Sequence, residues 1–522
     1  MKLPAANRVW GTACILALGY LIATLVTNLS AFPGLHGDEA WRGLDALRLL
    51  AGGSISPHAM NTYTGPIHSM LIAAGFALIS PDVLALRLPG VLANIAAFLL
   101  LALVLAKHRS SRASFIFVAG VLTSMLLVYY ARVAWEVTAL HTLLLAVSIA
   151  AIHEVAGSDR APRWTSALFL GSALIGGLSH FIYFCVSFSF ALAGAFLFLL
   201  RPTRRTAHLL FVSGSGALIA AVLYLVKPKI TALQWNQHSV ALTLSACALP
   251  VVLTIALHLR PTESLRDLLV RIVAPRSKPA IVVGIVLVTG LLGGLQLTRN
   301  GFVAGFIETM GNTVLHQRIA SYLPPASLSM LNTLFAWLAC LAAFVASCAN
   351  LLRWKTRSDG LLVFSLVFVL LGPGFWLAGL VTSSIRYFLV PSLLLIWILT
   401  MTIDDLARPW LRRFSLSVLL VIAATNAVAW IPITSSNARP PLTFKIGNLS
   451  ETSAHFMPLA YLRENAERHQ ACLFTGNFFL RMPLKFYQAT RRWACKRGLA
   501  FAARYCRTCT DSQYLAFELR QR

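Results

Sequence analysis

Thirteen apolar stretches of about twenty residues constrain this chain more than any other feature of its sequence. A helix of that length crosses the ~30 Å hydrocarbon core of a bilayer, and backbone groups between lipid tails must be paired within the segment. Ten-residue segments of alternating hydrophobicity, which would indicate a β-barrel, do not occur. The predicted spanning helices lie near 9–31, 84–106, 113–130, 136–156, 164–181, 182–200, 207–226, 238–259, 279–298, 329–352, 359–381, 385–402 and 413–433.

The composition also favours a polytopic membrane protein over a soluble globule. Charged residues make up 12% of the 522 residues, whereas soluble domains contain roughly 25%. The first apolar window follows a short basic start, as in a signal peptide, but its apolar run is too long for one. We therefore predict an all-α transmembrane domain over residues 1–433, with an uncleaved first helix.

The net charge of +26 would suit a nucleic-acid-binding protein, but its placement indicates membrane topology instead. With the N-terminus in the cytoplasm, six short cytoplasmic loops and the N-terminal segment hold 21 Lys or Arg. The opposite side, before residue 434, holds nine. Basic residues are retained on the cytoplasmic side of membrane proteins. We therefore predict a cytoplasmic N-terminus and no nucleic-acid partner.

Residues 434–522 change in character and are predicted to form a small extracytoplasmic α/β domain. Pro458–His469 has helical periodicity, whereas Ala471–Thr475 and Tyr514–Leu519 have the pattern of strands. With 14 basic and five acidic residues, this tail suits anionic headgroups or an anionic substrate.

Four of the nine cysteines lie in this tail, at Cys472, Cys495, Cys506 and Cys509. An oxidising compartment favours two disulfides, with three possible connectivities. A zinc site is the alternative, although only Cys506 and Cys509 have CxxC spacing.

The distribution of carboxylates argues against an ion-coupled transporter. Such transporters usually need ionisable groups near the bilayer midplane, but no Asp or Glu falls in the middle of a predicted helix. Chemistry is therefore expected at the outer membrane surface. The carboxylates predicted there, outside the tail, are Asp38, Glu39, Asp45, Asp82, Glu136 and Glu308.

The first candidate motif is LHGDEAWR, Leu35–Arg42, in the first extracytoplasmic loop, 32–83. Adjacent Asp38 and Glu39 project differently, so one could accept a proton while the other binds a metal or fixes its neighbour. Trp41–Ala51, which follows, has the apolar stripe of an interfacial amphipathic helix. The alternative is a solvated loop in which Asp38 caps that helix.

The same loop contains a short apolar segment, Pro66–Ser80, which we predict to be a re-entrant or interfacial helix. A full crossing there would invert every later loop and contradict the charge distribution. Weaker candidate site residues are His36, Tyr63 and His68 in this loop and His180 at the end of the fifth helix. Each histidine could ligate a metal or be a structural hydrogen-bonding residue.

The second candidate motif is YYARVAWE, Tyr129–Glu136, at the turn between the third and fourth helices. Arg132 and Glu136 are four positions apart and would share a helical face. One interpretation is an internal salt bridge between them. The other is that the pair lies close to the first motif and adds a carboxylate and a phosphate-binding cation to it.

The third candidate motif is SSIRYFLVP, Ser383–Pro391, at the start of the twelfth helix. Arg386 suits bidentate phosphate contacts. Anchoring at the membrane interface is the alternative for both Arg386 and Tyr387.

These motifs, with about thirteen helices and a small α/β tail, resemble the GT-C glycosyltransferases. The nearest group contains the dolichyl-phosphate-mannose protein mannosyltransferases and the bacterial aminoarabinose transferases of lipid A. The resemblance implies an inverting transfer of sugar from a polyprenyl-phosphate donor to a glycan, lipid or protein acceptor in the cell envelope.

The resemblance also implies roles for individual residues. Asp38 would be the catalytic base, and Glu39 would support it or bind a divalent metal where one is used. Arg132, Arg386 and Tyr387 would hold the leaving phosphate, with Glu136 at the second acidic position of the family. This turn holds one carboxylate where many relatives have two. The resemblance therefore implies a divalent metal as an option and no obligatory cofactor.

We expect a multi-pass protein of a bacterial inner membrane, with the C-terminal domain outside the cytoplasm. Two other functions fit the same residues. A flippase or transporter of a lipid-linked glycan would bind phosphate without breaking a bond, and a non-catalytic envelope assembly protein would use its charged tail to recruit partners.

Overall fold

The structure is a computed structural model that describes most of the membrane domain and short pieces of the tail. The described residues are 5–30, 35–56, 59–60, 64–158, 162–226, 284, 326–377, 389–435, 444–446, 449–451, 456–457, 472–475, 482, 486, 489–490, 500–503 and 518–520.

Twelve helices, most of them long and antiparallel to their neighbours in the sequence, form the body of the described part. They are α1 (Ala5–Val26), α4 (Val83–His108), α5 (Ser111–Thr123), α6 (Met125–Tyr130), α7 (Glu136–Gly157), α8 (Arg163–Ser179), α9 (Ile182–Leu200), α10 (Arg204–Val226), α11 (Ala326–Leu352), α12 (Asp359–Leu377), α13 (Leu389–Asp404) and α14 (Pro409–Ser435). One apolar core cluster joins nearly all of them. α1 and α14 lie at its edge and expose large apolar side chains such as Ile15 and Val421.

Among the described residues, six helices are long and apolar enough to cross a membrane: α1, α4, α7, α9, α10 and α14. The chain is therefore a multi-pass membrane protein. Several other apolar helices are shorter, including α5 and α13. Two of the thirteen predicted crossings, 238–259 and 279–298, lie outside the described residues apart from Gly284, so the predicted number remains a prediction.

The predicted third helix is two helices, because the chain breaks at Ser124. This residue has extended dihedral angles, φ −95° and ψ 90°, and it ends α5 while capping α6. Its side chain accepts a hydrogen bond from the backbone N–H of Leu127 at 3.3 Å. A serine offers the backbone this alternative to a continuous helix.

Two short helices fill the predicted loop 32–83. They are α2 (Gly37–Leu50), which contains the DE pair, and α3 (Ile67–Leu78), and they pack against each other. At twelve residues, α3 is about 18 Å long, too short to cross the ~30 Å hydrocarbon core. The predicted helix at Pro66–Ser80 is thus confirmed as a short one.

The helix directions define two ends of the bundle. We call "motif end" the end that carries α2, the α6–α7 turn and the α8–α9 turn. We call "basic end" the opposite one, with the connections near residues 109, 158, 202, 355 and 407. The predicted orientation places the basic end in the cytoplasm.

Most of the described pieces of the tail are strands, apart from residues 482, 486 and 489–490. The strands are β2 (Phe444–Ile446), β3 (Leu449–Glu451), β4 (Phe456–Met457), β5 (Cys472–Thr475), β6 (Ala500–Ala503) and β7 (Glu518–Arg520). β5 runs parallel to β6 and β6 antiparallel to β7, so strands occur where two were predicted, at 471–475 and near 514–519. The predicted helix 458–469 and Cys495, Cys506 and Cys509 lie outside the described residues, and the disulfides remain a prediction.

One tail strand joins the membrane domain at the motif end. β4 pairs antiparallel with β1 (Leu35–His36), which directly precedes α2. Phe486 is fully buried in a cluster with residues of α2, α3 and α4. A methyl group built on Gly43 of α2 would lie 2.3 Å from Cε2 of Phe486, so this glycine permits the close contact.

Candidate active site

The first turn of α2 is fixed by a capping box. His36 is the N-cap, and its Nδ1 accepts a hydrogen bond from the backbone N–H of Asp38 at 3.0 Å. The backbone N–H of His36 donates in turn to Oε2 of Glu39 at 3.0 Å. The alternative in which Asp38 is the cap is therefore wrong, since Asp38 lies within the helix.

Glu39 is buried and accepts four hydrogen bonds. Oε1 accepts from Nε of Arg87 at 2.9 Å and from the backbone N–H of Ala134 at 2.7 Å. Oε2 accepts from Nη2 of Arg87 at 2.8 Å and from His36. Both carboxylate oxygens therefore have two donors each, and both side chains of the ion pair are 0% exposed.

Arg87 completes a junction between four parts of the chain. It lies in the first turns of α4, and its Nη1 donates to the carbonyl of Leu29, just beyond α1, at 2.9 Å. Through Glu39, the same guanidinium is linked to α2 and to Ala134 in the α6–α7 turn. The forked guanidinium suits such bidentate contacts.

Arg132 holds the end of α1. Its guanidinium donates to the carbonyl oxygens of Thr24 and, at 2.7 Å, Thr27. Burial, and then the nearby Arg87 cation, lower the pKa of Arg132 to about 9, so it is protonated at neutral pH. It belongs to the turn before α7, which begins at Glu136, so the two residues do not share a helical face as predicted.

Asp38 is buried at the start of α2, 6% exposed, between the cap residue and Glu39. Two aromatic rings, those of Trp135 and Tyr130, lie beside the N-cap residue His36. His36 meets the edge of Trp135 with centroids 4.5 Å apart, and Trp135 stacks on Tyr130 at 5.2 Å. The low dielectric constant of such surroundings strengthens electrostatic interactions with a buried carboxylate.

One turn further along α2, Arg42 is buried as well. Its Nη1 donates to the carbonyl of Gly65 at 3.1 Å and lies 3.4 Å from Oγ of Ser69 in α3. Among the buried charges described at this end, Arg42, Arg87 and Arg132 outnumber Asp38 and Glu39. This surplus favours an anion.

Of the weaker candidates, His68 lies in α3 and His180 lies at the α8–α9 turn. Both are buried. His180 ends α8, and its Nδ1 accepts from the backbone N–H of Ile182 at 3.2 Å. Thr64 pairs with His180 as an isolated β-bridge, and the ring of His141 in α7 lies 5.7 Å from that of His180. His180 and His141 therefore have structural contacts in the folded chain.

Four predicted site residues lie wholly or partly outside the described residues. Tyr63, Arg386 and Tyr387 lie outside the described residues, and for Glu136 only the backbone, at the start of α7, is described. In the described part of the chain, no group of three or more His, Cys, Asp or Glu could hold a metal ion. The possible divalent metal thus remains a prediction.

The sequence reasoning missed Arg87 and Arg42. Arg87 carried a usable signal, because a charged residue within an apolar helix usually has a specific partner and a role. The search for charges within helices covered carboxylates alone, so it does not find Arg87. Arg42 is part of the first motif but was given no role.

No protein-family model matches the sequence, and no curated protein is a significant match. Solved structures are nevertheless similar. The oligosaccharyltransferase of Archaeoglobus fulgidus, in complex with zinc and sulfate, gives a TM-score of 0.50 at 13% identity, over 82% of this chain and 54% of that one. AglB of the same organism, in complex with an inhibitory peptide and a dolichol-phosphate, gives 0.49 at 14% identity, over 84% and 57%.

ArnT of Cupriavidus metallidurans in the apo state gives a TM-score of 0.40 at 10% identity, over 96% of this chain and 94% of that one. The chain spans just over half the length of the two archaeal proteins.

The archaeal oligosaccharyltransferase with the TM-score of 0.50 is a GT-C glycosyltransferase. The predicted resemblance is thus confirmed for the fold. The chain is a multi-pass membrane protein with a GT-C-type fold and a buried, charged junction at one end of its helices.

Proposed function

We propose that the chain is an inverting glycosyltransferase that uses a polyprenyl-phosphate-linked sugar. The acceptor is a glycan, lipid or protein of a bacterial cell envelope. In this proposal the motif end faces away from the cytoplasm, in the inner membrane, and residues 434–522 form the extracytoplasmic domain. The observation that carries the proposal is the buried carboxylate of Asp38 in the first turn of α2, within a GT-C-type fold.

In the reaction, Asp38 accepts the proton of an acceptor hydroxyl group. The hydroxyl oxygen forms a bond to the anomeric carbon of the donor sugar, and the bond from that carbon to the phosphate oxygen breaks. The electron pair leaves with the polyprenyl phosphate, whose charge needs nearby cations. The surplus of buried arginines at the motif end supports this part, with Arg386 and Tyr387 as further predicted phosphate contacts.

The test compares envelope glycans of cells that carry the wild type, Asp38→Asn or no protein. Mass spectrometry of envelope lipids, polysaccharide and secreted protein should show one sugar mass increment that is lost in both mutant strains. Asn keeps the size of Asp but cannot accept the proton, so the protein level should hold.

A matched control is Asp45→Asn, on the same helix. Asp45 pairs with Arg48 on the exposed side of α2, at 2.8 Å, and this substitution should leave the increment intact. If Asp38→Asn also leaves it intact, the catalytic assignment is wrong. Transport of a lipid-linked glycan or a role in envelope assembly would then account better for the chain.

A further inference from the structure

We infer that Glu39 and Arg87 are positioning residues, which orient the first turn of α2 so that Asp38 faces its substrate, and that Glu39 is not a metal ligand. This inference rests on the proposed function. It gives the second carboxylate of the DE pair a task different from that of the first.

The hydrogen bonds of Glu39 occupy both of its carboxylate oxygens. Each of its oxygens accepts two hydrogen bonds, from Arg87 and from the backbone of Ala134 and His36. A carboxylate has about four lone-pair sites in total. A metal ion would have to displace donors that are themselves buried, and those donors would then lose their partner.

The donors to Glu39 lie in separate parts of the chain. They belong to the strand before α2, to α4 and to the α6–α7 turn, and Arg87 also contacts Leu29 after α1. Four separate parts of the chain thus determine where one carboxylate lies. Its neighbour in the sequence, Asp38, is held by the same helical turn and by the N–H contact to His36.

The expected effect follows from the geometry of proton transfer. A displacement of about 1 Å at a reacting group can lower a rate by roughly 10²-fold. Arg87→Lys keeps the charge but loses the forked contact, and Glu39→Gln loses the charge and two of its acceptor sites. Both changes therefore tilt the turn that carries Asp38 without removing Asp38 itself.

The experiment uses membranes from cells that express the full chain. The reaction followed is the sugar addition that the Asp38→Asn comparison identifies. Its initial rate is divided by the amount of folded protein, which is the monodisperse fraction after detergent extraction. We expect Glu39→Gln and Arg87→Lys to lower this rate by roughly 10²-fold. The control Arg112→Lys alters a comparable contact to Asp404 at the basic end and should stay within about two-fold, because it does not touch α2.

A second measurement separates positioning from metal binding. Membranes are washed with EDTA and titrated with MnCl2, and the half-activating concentration should be the same for Glu39→Gln as for the wild type. A shifted value would make Glu39 a metal ligand and overturn the inference. If Glu39→Gln does not accumulate, Arg87→Lys, which alters the same carboxylate from the other side, carries the titration.

Two outcomes distinguish the inference from the function on which it rests. Wild-type rates per folded molecule in both variants, with Asp38→Asn inactive, would show that the pair only stabilises the fold. Wild-type rates in Asp38→Asn would instead refute the proposed function.

Discussion

The two ends of the helix bundle use the same residue types in opposite ways. At the motif end, Glu39 and Arg87 are fully buried, and their contacts reach several elements. At the basic end, the ion pairs are exposed or half-buried, and they connect neighbouring helix ends. Examples are Arg109 with Asp405 at 2.6 Å and Arg201 with Asp359 at 2.5 Å.

The difference in burial decides what each set of charges can do. An exposed ion pair contributes about 0–1 kcal/mol and tolerates many geometries. A buried pair keeps one geometry, because any other leaves a charge without a partner in a low-dielectric interior. The buried pair at the motif end therefore fixes the relative positions of the elements that it joins. The pairs at the basic end link the connections between helices, and this end carries the predicted topogenic charge.

The largest effect should come from Arg87→Ala. It leaves Glu39 buried with a charge and no cation, which costs about 3–5 kcal/mol. We expect poor accumulation or a large fall in the melting temperature in detergent, measured by thermal unfolding. Arg48→Ala is the control, since Arg48 pairs on the exposed side of α2. Equal effects of the two substitutions would remove the contrast between buried and exposed pairs.

A smaller effect is expected from Gly43→Ala, also at the motif end. The new methyl group would overlap the ring of Phe486, and overpacking of this kind costs about 1–3 kcal/mol. We expect the ring of Phe486 to be displaced from its buried position, so limited proteolysis should cut the tail sooner than in the wild type. Gly11→Ala is the control, because nothing lies within 4 Å of a methyl group there. Unchanged cleavage would mean that the tail does not depend on this contact.

At the basic end, Arg112→Ala should have an intermediate effect. Nε and Nη2 of Arg112 contact Asp404 at 2.8 and 2.5 Å, and the pair is half-buried. The loss should be about 1 kcal/mol, visible as a modest fall in melting temperature. A fall as large as that of Arg87→Ala would show that the basic end also determines the fold.

The smallest effect is expected for Lys107→Ala. Lys107 pairs with Glu154, and their side chains are 66% and 21% exposed. The loss should stay below about 0.5 kcal/mol and decrease with added salt. Thermal unfolding at low and high ionic strength measures it, and a loss above about 1 kcal/mol would contradict this view of the basic end.

Helix positions could be predicted because lipid solvation leaves a strong signal in hydropathy. The window 182–200 coincides with α9 (Ile182–Leu200), and 207–226 falls within α10 (Arg204–Val226). The break at Ser124 could not be predicted in the same way. It depends on one side-chain hydrogen bond, and a single serine hardly changes the hydropathy of an apolar window.

The place of the candidate site could also be predicted, but not its internal contacts. A DE pair after the first helix pointed to the start of α2. The partner of Glu39 is Arg87, 48 positions further along the chain, and only tertiary structure brings the two together. Glu39 was accordingly predicted as a support for Asp38 or a metal ligand, without the cation that binds it.

The pairing of β1 with β4 has a consequence for biosynthesis. His36 is synthesised early, but its strand partner Phe456 emerges more than four hundred residues later. At translation rates of about 5–20 residues per second, the wait is roughly 20–80 s. During this interval the start of α2 has entered the membrane region without its final neighbour. A ribosome that stalls before residue 456 therefore leaves the DE motif unfinished, however well the preceding helices have inserted.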